Sequence, residues 1–185
     1  ADQGLRVMQI GCDPKADSTI NLLGGQPLEP VMNYMRENDT EPESLEEIAK
    51  TGFGGVLCIE TGGPTPGLGC AGRGIIATFS LLEDLRLFET WRPDVVLYDV
   101  LGDVVCGGFS MPMRGGYADK VFVITSGENM AIHAAANIAV ALEGFKDRGY
   151  ASLGGIILNR RNVRDEDAKV AELADDIHSE VIGEL

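Results

Sequence analysis

The chain has 185 residues, 44% hydrophobic and 24% charged, which suits one α/β domain and excludes a small disulfide-stapled scaffold. Its formal charge of −14 repels nucleic acid, and no basic patch offsets it. No stretch approaches the roughly 18 consecutive apolar residues of a membrane span, and no basic, apolar signal region opens the chain. Ala1 stands where an initiator Met would be, and Ala1-Asp2-Gln3-Gly4 reads like the tail of a helix, so the natural N-terminus is expected to precede it.

Short runs rich in β-branched residues predict strands at Leu5–Ile10, Val56–Glu60, Val95–Asp99, Val121–Thr125 and Gly155–Asn159, with a sixth beginning at Val181-Ile182. Apolar spacing near 3.6 predicts helices over Pro27–Arg36, Ser44–Lys50, Gly74–Phe88, Glu128–Lys146 and Asp165–Ser179. Ser44 with Glu47 has the spacing of a capping box. Strands alternating with helices imply a mostly parallel sheet flanked by helices. There is no linker or internal repeat, so residues 1–185 read as a single domain.

Ligands of such sheets bind beyond the carboxyl ends of the strands. Asp13 follows the first strand and opens Asp13-Pro14-Lys15-Ala16-Asp17-Ser18-Thr19. One reading is a solvated loop with a helix cap at Asp17 or Ser18. The other is a switch in which the carboxylates position water or Mg²⁺ and Lys15 meets phosphate. Asp99 ends the third strand and leads into Gly102-Asp103. It reads either as a turn or cap residue or as a holder of Mg²⁺, with the following turn sensing a γ-phosphate. No G-x-x-x-x-G-K-[ST] phosphate loop occurs in the chain. Either no nucleotide binds or that loop lies before Ala1.

The cysteines divide into two kinds. Cys12 and Cys58 sit beside or within strands and read as small buried hydrophobes. Cys70 lies between glycines just before a predicted helix, close to Arg73, where a thiolate or anionic cluster is stabilised. Cys106 precedes Gly107-Gly108, and glycines let backbone N–H groups approach cluster sulfurs. A [4Fe–4S] cluster takes four thiolates, so two such cysteines suffice only in a twofold dimer with the cluster on its axis. The alternative is two unrelated free thiols.

Four blocks resemble the nitrogenase iron protein (dinitrogenase reductase) family: GCDPKADST at 11–19, TGGPTPGLGCAGRG at 61–74, YDVLGDVVCGGF at 98–109 and SGENMAIHAAANI at 126–138. The resemblance covers essentially the whole chain. It implies a P-loop NTPase-like α/β subunit, with the P-loop strand and the closing C-terminal segment outside these 185 residues. It implies a homodimer bridged by one [4Fe–4S] cluster on Cys70 and Cys106, binding MgATP through Asp13, Lys15, Asp17, Asp99 and Asp103. Asn159 matches the family's adenine-contacting position, and Arg73 matches an arginine that meets the partner. The implied activity is ATP-coupled passage of single electrons to the catalytic component of nitrogenase, with ferredoxin or flavodoxin as donor, in the cytoplasm, with no nucleic acid or membrane partner.

Segments 109–117 and 128–133 depart from the family's common forms, which leaves room for a nitrogenase-like reductase serving a tetrapyrrole or sulfur-compound enzyme. Protochlorophyllide and chlorophyllide reductase subunits usually lack the CAGRG form and carry another residue where Ala16 stands. A cluster-free partition-type ATPase of the same superfamily would need neither Cys70 nor Cys106. His133 reads as structural and His178 as a solvated helix residue. Without its phosphate loop the 185-residue chain by itself is expected to bind MgATP poorly and to be inactive.

Overall fold

The structure, a computed structural model, describes residues 1–64, 71–102, 108 and 110–185. Cys70, Asp103 and Cys106 lie outside the described residues. The chain divides into two compact units. The first holds the described residues up to Leu101 with Gly108, Ser110 and Met111; the second holds Gly102 and Pro112–Leu185.

In the first unit β1 (Val7–Gly11) lies between β3 (Leu57–Glu60) and β4 (Val95–Asp99), parallel to both. The short β2 (Ala49–Thr51) pairs antiparallel with β3, giving the order β2-β3-β1-β4. All four residues of β3 are buried where the strand lies between β1 and β2, the charged Glu60 among them. Helices α1 (Val31–Asn38), α2 (Ala71–Asp84) and α3 (Leu87–Trp91) belong to this unit. Phe79 of α2 is fully buried, its ring centroid 5.6 Å from that of Tyr98 on β4. Leu28, Val56 and Cys58 form a second apolar cluster, with Leu22 and Leu23 packed on it.

The second unit is an all-parallel sheet, β5-β6-β7 (Lys120–Thr125, Ser152–Leu158, Val181–Glu184). Helices α4 (Asn129–Phe145) and α5 (Glu166–Asp176) complete it. Val123, Ile156 and Leu158 of the sheet pack with Ala135 of α4 and Val170, Leu173 and Ala174 of α5.

The expected strands are all present. Three helical expectations are corrected. The Ser44–Glu47 capping box forms, but it supports only one 3-10 turn, Leu45–Glu47. Residues 49–51 then extend to hydrogen-bond with β3, where the sequence spacing had suggested a helix. The expected 74–88 helix is two helices, broken at Arg86, whose φ of 53° is left-handed. The expected 27–36 helix begins at Val31, after Pro30 in extended conformation. Among the described residues no helix is long and apolar enough to cross a membrane.

Candidate functional site

The register of the first sheet brings its carboxyl ends level: Gly11 stands opposite Glu60 on one side and Asp99 on the other. The backbone leaving β1 is held to that edge, because Cys12 donates its N–H to the Asp99 carbonyl at 2.9 Å. Pro14 then turns the chain. Asp13 accepts the Lys15 N–H on its side chain at 2.8 Å and the Ala16 N–H on its carbonyl at 3.0 Å. Ala16 adopts a left-handed φ of 53°. Lys15 and Asp17 are exposed.

No helix starts after this loop; residues 18–25 form successive turns, so the cap reading of Asp17 or Ser18 is set aside. Ser18 instead donates its hydroxyl to Asp99 Oδ2 at 2.6 Å and accepts Gln9 Nε2 at 2.9 Å. The loop and the strand-terminal aspartate, 81 residues apart in sequence, are therefore one polar site. Among the described residues no group of three or more His, Cys, Asp or Glu side chains is close enough to hold a metal ion alone. Mg²⁺ does not require one, since it is usually bound by one or two carboxylates with water and substrate phosphate.

Glu60 is the residue sequence reasoning missed. It is 0% exposed, and its Oε1 accepts both the N–H and the hydroxyl of Thr19, each at 2.7 Å. Burial pushes its carboxyl pKa up, against the Thr19 bonds, and the nearby Asp17 and Asp99 push the same way. A Glu at a strand end looks like any solvated terminus; its burial depends on Gly11 and Thr19, which only the fold brings near.

Cys12 and Cys58 are both buried, as their sequence setting implied. Burial raises both thiol pKa values, with Asp99 and Glu60 adding to the effect at Cys12. Such thiols resist becoming the thiolates that bind metal.

The segments next to Cys70 and Cys106 do meet within the chain. A Cβ built on Gly108 would collide with the Cα, carbonyl carbon and oxygen of Gly72. Two backbones touch there, two residues beyond each cysteine, at a place where only glycine fits. Arg73, the next residue of α2, is exposed. This approach fits a cluster held by the two cysteine-bearing segments.

Asn159 stands exposed just after β6, in the second unit, and its N–H donates to the Thr125 carbonyl at 2.7 Å. The loops around it are tied by Glu166, whose Oε1 accepts the N–H groups of Gly127 at 3.2 Å and Arg161 at 3.1 Å. His133 is exposed on α4, so it is no core residue, and His178 is exposed just beyond α5.

The whole chain, residues 1–185, matches the 4Fe-4S iron sulfur cluster binding proteins, NifH/frxC family. It is 50% identical over 183 residues to the nitrogenase iron protein of Methanospirillum hungatei JF-1, covering 98% of this chain and 64% of that protein. It is 44% identical to nitrogenase iron protein 2 of Methanothermococcus thermolithotrophicus, covering 100% of this chain and 67% of that protein. The chain thus spans about two thirds of the length of these relatives. In fold it is similar to the cell division ATPase MinD of Pyrococcus furiosus, with TM-score 0.64 at 15% identity, covering 99% of this chain and 71% of that one. The MinD cell division protein of Aquifex aeolicus gives TM-score 0.62 at 17% identity, covering 100% and 70%. The architecture is therefore the α/β fold of these MinD proteins, a mostly parallel sheet flanked by helices.

Proposed function

The chain belongs to the 4Fe-4S iron sulfur cluster binding proteins of the NifH/frxC family, and from that premise we propose that its protein is the ATP-driven electron donor of a nitrogenase. The observation that carries this reading is the Ser18–Asp99 bond at the level ends of β1, β3 and β4. It makes one site of two segments that separately would be ordinary loops. Lys15 would meet phosphate. Asp13, Asp17 and Asp99 would hold Mg²⁺ or orient water for attack on the γ-phosphate, and Asp103 would sense that phosphate. Asn159 would contact the adenine.

Cys70 and Cys106, with the same pair from a second copy, would supply the four thiolates of a [4Fe–4S] cluster. That cluster supplies a carrier for single electrons. Arg73, exposed and three residues after Cys70 in sequence, would meet the catalytic component, and ferredoxin or flavodoxin would return the electrons. The acidic composition suits a cytoplasmic setting for this protein. The close approach of Gly72 and Gly108 supports the ligand assignment, because each glycine lies two residues beyond one of the cysteines in sequence.

Cysteine replacement tests the reading. The full-length protein, purified anaerobically, should carry about four iron atoms per dimer. Cys70→Ala or Cys106→Ala should abolish that iron, while Cys12→Ala and Cys58→Ala should retain it. Iron retained in Cys106→Ala, or lost only in Cys12→Ala or Cys58→Ala, would refute the assignment.

A further inference from the structure

We propose that Glu60 is a positioning residue for the nucleotide site: it clamps Thr19 and thereby fixes where the Asp13–Asp17 loop returns to the sheet. The inference rests on the reading of Asp13, Asp17 and Asp99 as the Mg²⁺–nucleotide site.

Glu60 and Thr19 are both 0% exposed. Two bonds of 2.7 Å join one carboxyl oxygen to the backbone and the side chain of the same residue, so Thr19 is held in both position and rotamer. The other oxygen, Oε2, is buried without a partner and lies where a Cβ of Gly11 would stand. Only glycine at position 11 admits the carboxyl group. A buried polar group left half satisfied is costly, and an apolar side chain would cost the fold less. The arrangement gains something other than stability.

The gain is visible one residue earlier. Ser18 is pinned to Asp99 by its hydroxyl and to Gln9 by that same oxygen. Consecutive residues 18 and 19 are thus anchored to the ends of two different strands, β4 and β3. Asp17, the next residue back, is left exposed at the end of a fixed stem. Releasing Thr19 would let Ser18 drift from Asp99 and would separate the two carboxylates that must share one Mg²⁺. Placement of this kind accounts for large effects of small displacements in catalytic sites.

The test is ATP affinity of the full-length protein with and without Mg²⁺, by calorimetric titration, in wild type, Glu60→Gln, Glu60→Leu and Thr19→Val. Glu60→Gln keeps an acceptor oxygen for Thr19 and should retain the Mg²⁺-dependent gain in affinity within about twofold. Glu60→Leu and Thr19→Val should reduce that gain by about five- to tenfold, the worth of one or two lost hydrogen bonds. Thr19→Val keeps shape and volume, so it reads the same clamp if Glu60→Leu fails to fold. A lower unfolding midpoint with an unchanged Mg²⁺-dependent gain in these variants would mean a structural role alone and would overturn the inference. Failure of the wild type to bind ATP at all would overturn the site reading itself, and the inference with it.

Discussion

Glu166 holds the loops around Asn159 much as Glu60 holds the loop after Asp17. Both are carboxylates that the sequence presents as ordinary surface acids, Glu60 at a strand end and Glu166 in the first turn of a helix. Their roles were illegible because their partners, Thr19 and Gly127, lie 41 and 39 residues away. By contrast Asp13 and Asp99 stand out in the sequence as candidates, because Asp99 ends a β-branched apolar run and Asp13 follows one closely. The two buried acids also titrate oppositely. Burial raises the Glu166 pKa, but the backbone N–H groups of Arg161, Gly127 and Asn162, aided by Arg160, outweigh it and lower the value from 4.5. A depressed folded-state pKa contributes stability above the ordinary value, and that contribution is lost as pH falls through the folded value. Glu166→Gln should therefore be less stable than wild type at pH 7, with the gap closing progressively below pH 4.5. Urea unfolding midpoints of both proteins against pH provide the check. A gap that does not change with pH would mean that the charge on Glu166 is not what the loops use.

The strands were legible as elements because their runs are short, apolar and bounded by turns. The helix at 44–50 was misread because a capping box is local, whereas the pairing of residues 49–51 with β3 is not. Arg86 likewise gives no sign in sequence that it ends one helix and begins another. The contact between Gly72 and Gly108 belongs to this scale too. The glycines could be seen as flanking the cysteines, but not that they touch. Gly108→Ala would drive a methyl group into the Gly72 backbone, which cannot move aside as a side chain can. It should destabilise the full-length protein by about 1–3 kcal/mol, as overpacking does, and should lower its iron content. Gly144→Ala, in α4 with nothing within 4 Å, is the matched control and should stabilise by about 0.5–1 kcal/mol. Denaturant unfolding with iron analysis reads both variants. Equal stability of Gly108→Ala and wild type would remove the contact from the account.

For the molecule as a whole, the fold by itself does not separate an iron–sulfur reductase from a MinD-type ATPase, since similarity to the latter is structural at 15–17% identity. What separates them is the glycine-flanked cysteine pair and the whole-chain family match. The account therefore turns on whether the nucleotide site and the cluster site act on each other. Seven residues lead from Asp99 to Cys106. Even fully extended they span no more than about 25 Å, and a displacement at one end should reach the other. A nucleotide can shift a conformation only through contacts that differ between its two states, and Asp103 lies within this segment. The most direct measurement is the rate of iron chelation from the full-length protein, anaerobically, with and without MgATP. MgATP should change that rate in the wild type, and Asp103→Ala should blunt the change more than it weakens ATP binding. Identical rates with and without MgATP in a wild-type protein that binds both cluster and nucleotide would contradict the coupling on which the proposed function depends.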